Sequence, residues 1–391
     1  MANPDLHRQR RADGRRTPHR TLHQGNRQGT GHQGSQMKRK LAAAIILALA
    51  ATASPALERE ALKEYILPAL DRQPPQELVE LGRMLYFDRR LSGDGTMNCA
   101  TCHLPQEGFS DGRDVSAAYP TNAHFRNTPT VVNAALRPLL TWDGRAGNVE
   151  DQAMGVIKNP FEMNINLDLL EEKLRSVPEY RDGFKAALGS EVTRKAIVRA
   201  IGAFERTIIA GPSPFDLYAK GDDKALGESE IRGMELFFGK ANCLICHDGP
   251  NFGASRIESL GLPPNPKVIT DSRRAVSLRY VARINGESMG LGEEDDWGLA
   301  FLTGDIRDKG RFLSPTLRQL ARTAPYGHDG RFETLREIID LIDAGGGTMP
   351  GKSHKLKPLG LTGEEKKDLE SFLLSLTGAD PVVEPKVPAL R

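Results

Sequence analysis

Residues 96–113 read Thr96-Met-Asn-Cys99-Ala-Thr-Cys102-His103-Leu-Pro-Gln-Glu-Gly-Phe-Ser-Asp-Gly-Arg113, and residues 241–249 return to the pattern as Ala241-Asn-Cys243-Leu-Ile-Cys246-His247-Asp-Gly249. The chain has four cysteines, and these two Cys-X-X-Cys-His runs use all of them. A Cys-X-X-Cys pair can be a redox dithiol, half of a zinc clip or, with a histidine directly after it, an attachment site for a larger group. Zinc asks for four ligands at clustered spacing, and the sequence holds no other short Cys/His cluster.

Where the chain works narrows the choice. The net charge of +2 over 391 residues hides a lopsided distribution: residues 1–40 carry ten Lys/Arg against two Asp, leaving 43 basic against 49 acidic residues in the remainder. The part expected to fold is therefore acidic, which argues against nucleic-acid binding. The basic part reads as an address. Met37-Lys-Arg-Lys40 precedes the apolar run Leu41–Ala50 and the small residues Ala51-Thr-Ala53 and Ala53-Ser-Pro-Ala56, the three regions of a secretory signal peptide. Residues 1–36 then lie upstream of the true start at Met37, the other reading being a disordered basic arm. The apolar run is short for a membrane span. The expectation is an exported, periplasmic protein with no membrane span in its mature chain.

In an exported chain with no spare cysteine, the reading that remains is covalent haem c at both runs, the thiols joined to the porphyrin and His103 and His247 as proximal iron ligands. The repeat extends beyond the motif. Gly82-Arg-Met-Leu85-Tyr86-Phe87 precedes the first run and Gly233-Met-Glu-Leu236-Phe237-Phe238 the second. Each half closes on an apolar helical stripe: Ile197, Ile201, Phe204 and Ile208, then Leu369, Phe372, Leu373 and Leu376, the latter opened by the capping box Thr362-X-X-Glu365. Helix, haem loop, closing helix predicts a mainly α chain of two c-type cytochrome domains in tandem with long loops. The expected boundaries are 1–56 for the extension and signal peptide, 57–220 and 221–380 for the two haem domains, and 381–391 for a tail.

Between the runs lie Thr141-Trp142-Asp-Gly-Arg145, Gln152 and Asn159-Pro-Phe-Glu162-Met163. With "GFSDGR" (108–113), "RNTPTVVNAA" (126–135) and "PTLRQLARTAPYGHDGRF" (315–332), the sequence resembles the bacterial di-haem cytochrome c peroxidases and their MauG relatives over residues 60–380. The resemblance implies that hydrogen peroxide reacts at the first haem, where Glu162 matches a carboxylate that moves a proton from the near to the far oxygen and Gln152 a pocket glutamine. It makes Trp142 the tryptophan between the two haems. It also places a calcium ion between the domains, held by Asn127 and by backbone oxygens of Thr323 and Pro325, hard ligands for a hard cation.

The match fails at three places. Where relatives carry a methionine or tyrosine as second ligand of the C-terminal haem, this chain has Ile342, which cannot bind iron. Met349 is the first candidate to substitute, followed by Met289 and His354. Where many peroxidases carry a histidine that caps the first iron, an ungapped count gives Tyr119; His124 follows five residues on and reads as a surface loop residue, leaving the first haem open. The glutamine helix runs Gly155-Val156 where Gly-Pro is usual. The expected function is therefore a hydrogen-peroxide-dependent di-haem enzyme of the MauG-like branch, oxidising a partner protein through the two haems and Trp142. The competing expectations are a peroxidase fed by a small cytochrome c or cupredoxin, and a non-catalytic di-haem electron carrier. Relatives are often homodimers.

Overall fold

In the computed structural model, the residues described are 55–119, 122–285, 294–381 and 383–388. The expected extension and signal peptide, apart from Pro55 and Ala56, lie outside them, as does Met289. Residues 54–391 form one compact unit, mainly helical, with strands confined to two short antiparallel pairs among the described residues: β1 (Ala117–Ala118) with β2 (Asn122–Ala123), and β3 (Ile257–Glu258) with β4 (Phe312–Leu313). Among the described residues, no helix is long and apolar enough to cross a membrane.

Five helices carry the frame: α1 (Gln76–Tyr86), α2 (Val149–Lys158), α3 (Arg194–Glu205), α4 (Glu228–Phe238) and α5 (Gly363–Leu374). Their starts follow side-chain capping chemistry. The Asn148 side chain accepts from the Asp151 amide and that of Thr193 from the Ala196 amide. The predicted capping box opens α5, with the Thr362 amide 2.7 Å from Glu365 Oε2 and the Glu365 amide 3.2 Å from Thr362 Oγ1. Both predicted stripes are buried: Ile197, Ile201, Phe204 and Ile208 sit in one core with Leu85, Tyr86 and Leu91, while Leu369, Phe372, Leu373 and Leu376 sit in another with Phe237, Phe238 and Phe252. Leu62, Phe215 and Ala219 also pack into the second core.

The repeated glycines explain why the two halves share a helix crossing. A Cβ on Gly82 of α1 would lie 1.9 Å from the Ala200 carbonyl of α3 and 2.8 Å from Phe204 Cβ; one on Gly233 of α4 would lie 1.9 Å from the Asp368 carbonyl of α5 and 2.8 Å from Phe372 Cβ. At both crossings the backbones touch where only hydrogen fits, so the helix before each Cys-X-X-Cys-His run is seated on its closing helix. Gly82→Ala and Gly233→Ala should each cost about 3 kcal/mol, the upper end of the overpacking range. A loss in urea midpoint at unchanged slope would show it. Gly155→Ala in α2, where an added Cβ meets nothing within 4 Å, should instead gain about 0.5–1 kcal/mol.

After α5 the chain returns to the first core. The Gly211 amide donates to Ala379 O at 2.9 Å, Arg83 reaches Glu384 O at 2.7 Å and Arg90 reaches Pro388 O at 2.6 Å. A buried ion pair joins Asp216 to Arg318 through two bonds of 2.9 Å, and it holds the Asp216 carboxyl below the usual range.

Candidate functional site

The two Cys-X-X-Cys-His runs fold alike. Each opens as a short 3-10 turn, Cys99–Thr101 and Cys243–Ile245. Each is closed by the histidine amide donating to the first cysteine carbonyl, at 3.0 Å for His103 and 2.9 Å for His247. The rings are then oriented from behind: His103 Nδ1 lies 3.1 Å from Phe109 O and His247 Nδ1 3.0 Å from Phe252 O. A carbonyl only accepts, so Nδ1 carries the ring proton and Nε2 keeps its lone pair. This is how a ligating histidine is usually supported. Burial keeps both rings neutral and pulls His103 down to about 4. Gly253, at φ +139°, makes the second support possible, because a Cβ there would stand 2.1 Å from Pro315 O and 3.2 Å from His247 Nδ1.

The thiols are free of disulfides. Burial raises all four, Cys102 and Cys243 up to about 12. A redox dithiol needs the opposite, a thiolate accessible near neutral pH.

His103 and His247 both line a cavity of about 1160 Å³, whose wall includes Trp142, Gln152, Glu205 and Ile342. A smaller cavity of about 130 Å³ adjoins the first run and is lined by Cys99, Cys102, His103, Trp142, Gln152 and Glu162. Two runs 144 residues apart in sequence thus open on connected space, with Trp142 on the wall of both cavities. Trp142 is held by its side chain and its backbone: the indole Nε1 donates to Asn127 O at 2.9 Å, and the backbone carbonyl accepts the Leu313 amide at 2.7 Å.

These walls fit haem c. Each run supplies two protonated thiols and an imidazole with an available Nε2, and the large cavity lies just above the roughly 300–1,000 Å³ typical of a ligand or cofactor site. Arg137 adds a counter-charge. It lines the large cavity and donates to the Thr130 and Val132 carbonyls, and its Nε is buried without a partner among the described residues. Burial pulls it down to about 10, so a carboxylate of the incoming group would relieve it.

The catalytic candidates converge on the small cavity. Glu162 hangs from a tight turn in which its amide donates to Asn159 O at 3.0 Å. Its Oε2 is buried and has no hydrogen-bond partner among the described residues, and burial raises its pKa, opposed by Arg145 and by a bond with Asn159. Gln152 on α2 shares the same wall. The calcium candidates are also near one another. Asn127 Nδ2 donates to Arg113 O at 2.8 Å and reaches Pro325 O at 3.4 Å, while Thr323 and Pro325 line the large cavity. A cation between those carbonyls would require the carboxamide to turn its oxygen inward.

Ile342 lines the large cavity, and so does Met349, although Met349 is 41% exposed at the rim. His354 is exposed. The sequence reading of His124 as a surface loop residue is corrected: it is half-buried and lines the small cavity with Glu162, because β2, directly before it, pairs with β1, whose Ala117 O lies 3.9 Å from Cys102 Sγ of the first run. Tyr119 instead packs its hydroxyl close to Gly93. Sequence reasoning also missed Glu205, which is buried on both cavity walls and pushed up to about 8 by that burial and by Glu150. Its signal was available, as a carboxylate four residues after Ile201 on the apolar stripe. Missed too was the buried cluster of Arg126, Asp143 and Asp296.

A mainly helical chain with two such histidine turns around connected cavities has the frame of a c-type redox protein. A family profile described as "Di-haem cytochrome c peroxidase" matches residues 76–224. The cytochrome-c peroxidase IdrP1 of Pseudomonas sp. (strain SCT) is 38% identical over 89% of this chain and 94% of its own length. The methylamine utilization protein MauG of Methylorubrum extorquens is 34% identical over 80% and 82%. The crystal structure of a MauG-like protein associated with microbial copper homeostasis superimposes with a TM-score of 0.66 at 30% identity, covering 81% of this chain and 94% of that one. The chain belongs to the di-haem cytochrome c peroxidase and MauG family. It is a peroxidase-type oxidoreductase, of the class that uses hydrogen peroxide as oxidant.

Proposed function

We propose that this protein is a hydrogen-peroxide-dependent di-haem enzyme of the MauG-like branch that oxidises a partner protein in the periplasm. The observation that carries the reading is the Glu162 carboxylate, buried with an unpartnered oxygen on a wall shared with His103 and Gln152. Cys99 and Cys102, then Cys243 and Cys246, attach one haem c each, in halves 57–220 and 221–380, with His103 and His247 on the two irons. When bound, haem c supplies the redox capacity that accepts oxidising equivalents from peroxide and passes electrons on. Glu162 takes a proton from the near oxygen of peroxide and returns it to the far one, so water departs. Gln152 orients the peroxide, Arg137 neutralises a carboxylate of the cofactor, and Trp142 bridges the two sites.

The MauG-like choice rests on Ile342, which offers no donor where relatives place a methionine or tyrosine; Met349, on the wall of the same cavity, is the candidate to substitute. Asn127 with the Thr323 and Pro325 backbones holds one calcium ion between the halves, and the enzyme assembles as a homodimer. The second reading, a peroxidase that takes electrons from a small cytochrome c or cupredoxin, is favoured by the name of the 38% identical relative. One experiment separates them. Resting enzyme mixed with one equivalent of hydrogen peroxide, without reductant, should react completely in a stopped-flow trace. A requirement for prior reduction, together with fast turnover of reduced cytochrome c, would overturn the MauG-like reading.

A further inference from the structure

His124 lines the small cavity beside Glu162, Gln152 and Cys102, and the chemistry above gives it no task. Its Nδ1 accepts the Arg126 backbone N–H at 2.9 Å. A ring nitrogen that accepts carries no proton, so in the neutral ring the proton sits on Nε2. This is the reverse of His103 and His247, whose Nδ1 atoms face carbonyls and whose Nε2 atoms are left to ligate. Burial and the neighbouring cations Arg126 and Arg145 outweigh Asp143 and Asp296 and keep the His124 ring neutral, pulled down to about 3.

The segment that carries the ring is also pinned. The His124 amide donates to Ser116 O at 2.9 Å and the Ser116 amide to Arg126 O at 3.0 Å. The ring stacks on Phe125 at 4.6 Å, and Ser277 Oγ bonds Ala123 O at 2.8 Å. Arg126 is clamped between Asp143 and Asp296. To bind iron through Nε2, His124 would have to exchange its tautomer and lose the bond from the Arg126 amide; through Nδ1 it would have to break that bond.

We propose that His124 is a second distal residue of the peroxide reaction, donating a hydrogen bond from Nε2–H to the departing oxygen, and that it is not a ligand to the first iron. The proposal rests on the reading that peroxide reacts in the first cavity. No proton leaves the ring: Glu162 delivers the one that completes water, while the imidazole N–H stabilises charge building on that oxygen.

The test uses the holoenzyme with both haems and fluoride, an anion that only accepts hydrogen bonds. His124→Ala should weaken fluoride binding to the first haem roughly tenfold, the size of one hydrogen bond to a charged acceptor. His124→Gln, which restores an N–H donor, should recover part of the loss. Low-temperature EPR should show the first haem high-spin in the wild type and in both variants. A low-spin first haem that becomes high-spin in His124→Ala would identify a cap and overturn the proposal, as would fluoride affinity unchanged by that substitution. Fluoride binding breaks no O–O bond, so a normal fluoride response with peroxide reactivity insensitive to Glu162→Gln would count against the functional reading alone.

Discussion

Glu162→Gln is expected to lower the second-order rate constant for hydrogen peroxide by about 10²–10⁴, the range that a positioned acid–base group supplies. The glutamine keeps the shape and one acceptor oxygen but cannot take up and return a proton. Since Oε2 has no partner among the described residues, no hydrogen bond to it is sacrificed there, and the loss should appear in rate rather than stability. The pH dependence carries a second signature. Burial raises the Glu162 pKa, so the base form is lost at a higher pH than for a free carboxylate near 4.3. In the wild type the rate should therefore fall as pH drops through that raised value. In Glu162→Gln this limb should vanish. Stopped-flow spectroscopy across pH, with haem content confirmed at two per chain, checks both. A variant that reacts at the wild-type rate would leave the non-catalytic carrier as the better reading.

The largest stability effect should come from Arg126→Met. Arg126 is 6% exposed, and its guanidinium bonds Asp143 at 2.6 Å and Asp296 at 2.6 and 2.8 Å, linking positions 170 residues apart. Its removal leaves Asp296 with the Gly298 amide at 2.9 Å, and Asp143 with the half-exposed Arg145 and the Thr141 hydroxyl. Breaking a buried pair in this way costs about 3–5 kcal/mol, because the remaining charge is uncompensated. The double variant Arg126→Met with Asp296→Asn should recover part of that loss. Burial works to raise the Asp143 pKa, but Arg126 and Arg145 prevail and hold it well below the usual range. A depressed carboxylate contributes stability above its unfolded pKa, near 3.9, and loses it as pH falls through the folded value. Without Arg126 the folded value rises, so acid unfolding should begin at higher pH. Urea midpoints measured between about pH 3 and 7 would show the change. Equal midpoints for wild type and variant would mean that the cluster contributes nothing net.

The sequence determined the parts whose signals are local. The histidine turns are written in five consecutive residues each. The paired crossings are written in the repeated Gly82 and Gly233 segments and in stripes whose helical period places Phe204 and Phe372 inward. The α5 capping box needs only Thr362 and Glu365. Glu162, Gln152 and Trp142 were legible through resemblance, since periodicity says nothing about a carboxylate in a loop turn.

The tertiary structure decided what depends on residues distant in the chain. His124 and Tyr119 are five positions apart and equally polar on paper, yet only His124 lines the cavity with Glu162; the β1–β2 pairing and the Arg126 anchor make that difference. Glu205 becomes a weak acid near 8 because α3 carries it out of water and beside Glu150, and Arg206 offsets that only in part. Arg126 looks like a surface charge until Asp296 reaches it from 170 residues away. In each case the controlling quantity is the loss of water around a charge and the identity of the partner that replaces it. Both are properties of contacts between segments, and a residue pattern along one segment does not contain them.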